Sequence, residues 1–455
     1  MTATDLDPDA RDAADPLASF RDRFVPAPGV VAYLDGNSLG RPPALTPARI
    51  ESFVREEWGG RLIRGWDEGW WEQPGTLGDR IGALALGAAP GQSVVADSTT
   101  VLFYKLARAA VAARPGRHEI VCDTDNFPTD RYVISGIAAE RGLTLRWIET
   151  DPATGITQEQ VADAVGPDTA LVTFSHVSYR SGWIADAEAI TALAHDAGAL
   201  ALWDLSHSAG SVPLELDAWG VDLAVGCTYK YLCGGPGSPA FGYVRHDLIT
   251  GLDQPIHGWA GRRDPFAMAA DYEPGPGVRR LLSGTPPVLG MLPLTVSLDM
   301  LAEAGIDAVR EKSLRLSDYA LDLTGAWLVP RGVTVASPRE HARRGGHVTL
   351  VRPGFSELLD PLWRRGVIPD YRAPDGLRIG LSPLSTSFAE VHAGLSALRD
   401  LLPHPGRGGG VRASPPAAPP PGGGGPDWGR PAPAGRARIP RPAPRVPRTR
   451  GAVAT

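Results

Sequence analysis

Short, apolar, β-rich runs recur through the first half of the chain, at Ser93–Ala96, Glu119–Cys122, Leu145–Ile148, Ala170–Phe174, Leu200–Trp203, Leu223–Gly226 and Phe241–Val244. Between most of them apolar residues fall at helical spacing, over Thr100–Ala113, Arg131–Glu140, Gln158–Val165 and Asp186–His195. Brief continuous apolar runs suit strands buried on both faces. Their alternation with helices predicts an α/β fold, a mostly parallel sheet covered by helices. After Pro286 the pattern changes to one long helical stretch reaching about Trp327. A smaller α+β region follows, with strands near Val333–Ala336, His347–Val351 and Leu377–Gly380 and a closing helix from Phe388 to Leu402. The expected organisation is a large domain over 60–290, a smaller C-terminal domain over 291–403, and an N-terminal segment, 1–59, packed with the smaller one.

From His404 onward the chain is dominated by Pro, Gly and Ala with scattered Arg. Such a stretch cannot bury enough apolar surface to offset its chain entropy, so 404–455 is expected to be disordered. Its only aromatic residue is Trp428, which favours an inert extension over a nucleic-acid-binding arm.

Composition narrows the function classes. With 455 residues and 43% hydrophobic content the chain can bury a large core, and its net charge of -6 offers no basic field to nucleic acid or membrane. No apolar run approaches the roughly 18 residues of a membrane span. The acidic start, Met1 to Asp15, lacks the apolar core of a secretory leader, so a cytoplasmic protein is expected. Cys122, Cys227 and Cys233 form no CxxC pair, which argues against a disulfide framework or a structural zinc site; no metal is expected. Lysine is scarce. Lys105, Lys230 and Lys312 are the only three, and the other basic residues are arginine. A lysine kept in that background draws attention to chemistry that only a primary amine performs.

In open α/β sheets ligands gather beyond the carboxyl ends of the strands. Four polar clusters fall at such ends: Asp97-Ser98-Thr99-Thr100, Asp123 through Asp130, Ser175-His176 and Asp204-Leu205-Ser206-His207. Lys230 follows another strand and precedes a Gly-Gly-Pro-Gly turn that permits close backbone approach. An amine there suits a Schiff base with an aldehyde cofactor. Lys105 and Lys312 lie in amphipathic helices and fit surface side chains better. Asp204 ends an apolar strand, where a carboxylate either caps a turn or holds a cation such as a protonated pyridine nitrogen. Thr99 and Thr100 open a helix, where hydroxyls and free N–H groups suit a phosphate or a simple cap.

These residues resemble a known family. Asp204-Leu205-Ser206-His207-Ser208-Ala209-Gly210, followed by Tyr229-Lys230-Tyr231-Leu232 and Gly234-Gly235-Pro236-Gly237, is similar to kynureninase. Leu34-Asp35-Gly36-Asn37-Ser38-Leu39-Gly40, Asn126-Phe127-Pro128-Thr129-Asp130, His257-Gly258-Trp259 and Leu377-Arg378-Ile379 extend the resemblance in order over about residues 18 to 402. It implies the fold type I of pyridoxal-phosphate enzymes, a homodimer with active sites at the subunit interface, and hydrolysis of L-kynurenine to anthranilate and L-alanine. Lys230 would then form the Schiff base, and Asp204 would pair with the pyridine nitrogen. Phe127 would stack on the ring, with Pro128, Thr129 and Asp130 beside it. Thr99, Thr100, Ser175, His207 and Tyr229 would surround the phosphate and ring, with Trp259 and Thr285 near the phosphate. Ser38 and Arg378 would meet the substrate, Arg378 through its α-carboxylate. Tyr229 is also the candidate proton donor and acceptor. Thr285 stands where the resemblance leads one to expect Asn, a shorter hydroxyl in place of an amide. The rival readings are a cysteine desulfurase, for which Cys233 would have to be the nucleophile, an aminotransferase, and a non-catalytic cofactor-binding protein.

Overall fold

A computed structural model describes residues 6–403, so the disorder expected over 404–455 lies outside the described residues. Seven strands form the larger sheet: β2 (Ser93–Ala96), β3 (Glu119–Asp123), β4 (Thr144–Ile148), β5 (Thr169–Ser175), β6 (Leu200–Asp204), β7 (Leu223–Gly226) and β8 (Ala240–Val244), in the order β2-β8-β7-β6-β5-β3-β4. Strands β3 to β7 run parallel, and only β8 is antiparallel to its neighbours β2 and β7. Alternate residues of one strand enter different cores. Val121, Val172, Ala201 and Ala224 pack on one face, while Ile120, Leu171, Leu200 and Leu223 pack on the other. Both faces are therefore apolar, which explains why these strands read as unbroken hydrophobic runs. Helices Thr99–Ala112, Pro128–Arg141, Gln158–Ala164 and Ala187–Asp196 lie between the strands, each within a residue or three of its expected limits.

The stretch after Pro286 is two helices, Val288–Ala304 and Ile306–Trp327, bent by 85° at Gly305. Gly305 has a φ of +76°, a left-handed conformation that glycine takes without steric cost and that no helix interior can hold. Among the described residues no single helix is long and apolar enough to cross a membrane.

The smaller sheet has the order β1-β11-β12-β10-β9, from β1 (Ala32–Leu34), β9 (Thr334–Val335), β10 (His347–Val351), β11 (Val367–Arg372) and β12 (Gly376–Gly380). Strand β1 pairs parallel with β11, so the N-terminal segment is woven into this sheet across more than 300 residues of chain. Beyond β1 the segment turns back to the lysine loop. The Gly40 N–H donates to the Tyr229 carbonyl at 2.8 Å, and a Cβ at Gly40 would lie 2.4 Å from the Lys230 carbonyl oxygen. Glycine is required there by contact, not by its own φ.

Two expectations fail on the lysines. Lys105 and Lys312 are both buried, at 0% and 1% exposure. Lys105 Nζ contacts the Asp97 carboxylate at 2.5 Å, the Leu281 carbonyl at 2.6 Å and the Ser283 hydroxyl, whereas Lys312 Nζ pairs with Asp15 at 2.7 Å. A helical spacing identifies the buried stripe but not which polar residues are drawn into it by a partner distant in sequence.

Candidate active site

The carboxyl ends of β2, β3, β5, β6 and β7 converge on a cavity of about 190 Å³, lined by Thr99, Thr100, Phe127, Thr129, Asp130, Ser175, Asp204, His207, Tyr229 and Lys230 among others. Ten of the expected residues, drawn from five separate segments, thus share one space. Ser98 and Ser206, members of two of the strand-end clusters, also line it, as do Tyr179, Cys227 and Ser238, which were given no role from sequence. Ser98 caps the helix that follows, its Oγ accepting from the Val101 N–H at 3.4 Å. Asp97, just before it, holds a positive φ of +44°, strained for a residue with a side chain. The Lys105 ammonium pins its carboxylate and thereby the whole turn that carries Thr99 and Thr100.

Lys230 Nζ lies 3.0 Å from His207 Nε2 and 6.0 Å from the centre of the Phe127 ring, whose face is open to the cavity. Burial, followed by the Lys230 cation, pushes His207 well below the ordinary histidine range, so its ring is neutral and Nε2 accepts from the ammonium. That leaves the proton on Nδ1, which is buried without a partner. The rings of His207 and His347 are 5.6 Å apart, and both His347 nitrogens are likewise buried and unpartnered. His347 was not found from sequence, because nothing near it in the chain marks it.

Asp204 turns one carboxylate oxygen to the Ser206 N–H at 2.7 Å. Beside it, burial and then the Asp204 charge hold the Asp130 carboxyl well above the usual carboxylate range, so Asp130 is the neutral partner of an acid pair. Asn126 organises the wall opposite. Its Oδ1 accepts from the Phe127 N–H and from Ser175 Oγ, both at 2.7 Å, which sets the ring and the hydroxyl together. Burial raises the Tyr229 phenol above its ordinary value, keeping it a donor.

Three expected residues lie elsewhere. Pro128 does not line the cavity. It starts the helix Pro128–Arg141, where its missing N–H is no loss. Within one chain Trp259 and Thr285 do not reach the cavity either. Trp259 is 39% exposed, against Trp71 and Phe266, and Thr285 lines a separate apolar cavity of about 530 Å³ with Trp58, Leu62, Trp66 and Trp70. Within one chain both side chains are exposed, although Ser283 of the same segment reaches Lys105 and Asp97 at the end of β2.

Ser38 and Arg378 meet beside the cavity. Arg378, 1% exposed, donates from Nη2 to Ser38 Oγ at 2.9 Å, from Nη1 to the Tyr179 carbonyl at 2.6 Å, and to the Asp370 carboxylate. Through Tyr179, which lines the cavity, the arginine is bonded to its wall.

The residues present fit a pyridoxal phosphate. An enclosed space holds one amine, an open aromatic face and an acid pair that can oppose a pyridinium. The buried, unpartnered Asp130 Oδ2 and His207 Nδ1 are polar atoms without an internal partner. The helix N-terminus at Ser98–Thr100 supplies donors for the phosphate. Cys233, by contrast, is 4% exposed and its thiol is pushed up to about 12 by burial, the opposite of an activated nucleophile.

Fold and site together define a pyridoxal-phosphate enzyme of fold type I. Similar solved structures include a cysteine desulfurase from Thermococcus onnurineus NA1 (TM-score 0.71, 17% identity, covering 87% of this chain and 98% of that one). A cysteine desulfurase from Escherichia coli is similar too (TM-score 0.73, 17% identity, covering 85% and 99%). At such identity these establish the fold alone. Residues 309–398 match the kynureninase C-terminal domain family. The kynureninases of Pseudomonas fluorescens and of Burkholderia pseudomallei (strain 1106a) are each 42% identical over 400 residues, covering 86% of this chain and 94% of theirs. The chain belongs to the kynureninase family.

Proposed function

We propose that this chain hydrolyses the Cβ–Cγ bond of L-kynurenine to give anthranilate and L-alanine, and cleaves 3-hydroxy-L-kynurenine to 3-hydroxyanthranilate in the same way, as a step of tryptophan degradation. The observation that carries the reading is Lys230, the one lysine that lines the cavity, sharing it with an acid pair and a neutral imidazole, with the Arg378 fork bonded to the same cavity wall. Pyridoxal phosphate, when bound, supplies the aldehyde for an amino-acid substrate and an electron sink for its Cα carbanion. Asp204 would hold the pyridinium, Phe127 the ring face, and Thr99, Thr100 and Ser175 the polar rim.

The protein's own groups do the rest. Arg378 and Ser38 bind the α-carboxylate and so fix which Cα bond faces the cavity. Lys230 Nζ, once free, removes the Cα proton, and His207 Nε2 receives its hydrogen bond and keeps the amine aimed. Tyr229, held neutral, gives its Oη proton to the ketone oxygen as water adds to the carbonyl carbon. The resulting hydrate returns a hydroxyl proton to Tyr229 and breaks its Cβ–Cγ bond to release the aryl carboxylic acid; the electron pair left on Cβ takes that proton, giving the methyl group of L-alanine.

The working form is a homodimer in the cytoplasm. The surface position of Trp259 and Thr285 supports a dimer in which a second copy brings these two residues to the cavity of the first. The three cysteines, all free and buried, suit a reducing compartment. Incubation with kynurenine and with 3-hydroxykynurenine, following the fluorescent aryl amine and L-alanine, tests the reaction. Sulfide release from cysteine, or a requirement for a 2-oxo acid, would replace it with a desulfurase or an aminotransferase. Mixing Lys230→Ala with Trp259→Ala tests the shared site: mixed dimers regain activity only when one intact site can be assembled from two chains.

A further inference from the structure

Asp370 and Arg372 are two residues apart on β11, and Arg378 lies opposite Asp370 in the antiparallel β11–β12 pair. A period of two along a strand, with that register, places all three on one face of the small sheet. The residue opposite Arg372 is Gly376, so no side chain competes for its place. Asp370 receives Nε–H of both arginines, Arg372 at 3.0 Å, and both guanidinium groups reach Ser38 Oγ, Arg378 at 2.9 Å and Arg372 at 3.5 Å. Arg378 is committed to Asp370, Ser38 and the Tyr179 carbonyl. Arg372 keeps most of its fork free, and its side chain is 38% exposed beside the 12% exposed Asp370. Arg372 lines a neighbouring cavity of about 300 Å³ with Arg180, Thr349 and Asp375, and its fork meets that of Arg378 at the Ser38 hydroxyl. One carboxylate serves two cations here. Asp35 lies close enough to act on both arginines, and burial raises its carboxyl to about 6. Among the described residues Asp370 is the one carboxylate hydrogen-bonded to either guanidinium, so an incoming carboxylate meets donors of Arg372 that no internal acid occupies.

We propose that Arg372 is a second substrate-binding cation, which joins Arg378 in holding the α-carboxylate of the amino-acid substrate, with Asp370 as the positioning residue that aims both arginines. This rests on the assignment of Ser38 and Arg378 to the α-carboxylate. Lysine at 372 would keep the charge but lose the fork, and so recovers only part of the effect.

The test is titration of the holoenzyme with L-alanine and with L-alaninamide, followed by cofactor absorbance, for the wild type, Arg372→Gln, Arg372→Lys and Asp370→Asn. Loss of one charge-assisted contact is expected to weaken L-alanine about 10-fold in Arg372→Gln, with alaninamide unchanged. Arg372→Lys should fall between, and Asp370→Asn should lose the same discrimination. In kynurenine turnover the cost should appear in KM, with kcat held within about 2-fold. Equal weakening of acid and amide would show a merely structural role and overturn the proposal, as would no change in either. If Arg378→Gln loses the acid preference while Arg372→Gln keeps it, only Arg372 is misassigned. Failure of the wild type to cleave kynurenine while the acid preference follows Arg372 would instead sink the reaction and leave this carboxylate site standing.

Discussion

On the large-sheet side of the site, Asp130 Oδ2 and His207 Nδ1 stand buried with no internal partner, around an amine that only His207 meets. On the small-sheet side, tied to the Tyr179 carbonyl in the turn after β5, Arg378 makes one hydrogen bond from each of its three nitrogens and sits at 1% exposure. The first region is built to be completed by a polar ligand, since orphaned buried groups cost about 1–3 kcal/mol each until something bonds them. The second is satisfied in advance, so its geometry holds without the substrate. The contrast suggests that cofactor and substrate are handled by different means. The cofactor supplies the missing half of its own site, and the substrate meets an arginine already oriented.

Experiments can break or sharpen that contrast. Lys230→Ala should lower turnover by at least about 10⁴-fold, since both Schiff-base formation and proton removal are lost; stopped-flow detection of the aryl amine checks it. Retention of near-normal turnover would mean that another amine does this work. Lys105→Ala takes the donor from the part-exposed Asp97 and from the Leu281 carbonyl and should cost about 1–3 kcal/mol of stability by denaturant unfolding, with weaker cofactor retention because the Ser98–Thr100 turn is released. Arg378→Lys should raise KM by about 10²-fold with a smaller change in kcat, because a point charge cannot serve Ser38, Asp370 and a carboxylate together. A fall in kcat alone would show that Arg378 acts on the reacting bond instead.

The smallest effect concerns pH. Burial, reinforced by Asp125, raises the Asp123 carboxyl to about 7 beneath the Asn126–Ser175 wall. A carboxyl with a raised folded pKa favours the fold fully below the unfolded value near 4, and that advantage is lost as pH rises through about 7. Asp123→Asn should therefore stabilise the protein about 2 kcal/mol more at pH 8 than at pH 5, read from paired unfolding curves. The reverse order would place the charge of Asp123 in a favourable pairing that the structure does not contain.

The sequence by itself determined the large sheet and most of the cofactor side. Strands buried on both faces must be apolar throughout, so Leu200–Asp204 and Leu223–Gly226 are visible as runs, and the polar residues just past them are marked by position alone. Lys230, Asp204, Phe127 and Thr99 each follow such a run and needed no knowledge of contacts. Only the tertiary structure decided the remainder. It drew Lys105 and Lys312 into the interior through Asp97 and Asp15. It kept Trp259 and Thr285 off their own cavity, and it gathered Asp370, Arg372 and Arg378 on Ser38, more than 330 positions away. The physical reason is that periodicity reports which side of an element is buried, whereas the cost of burying a charge is met by a partner whose identity depends on how distant segments are brought together.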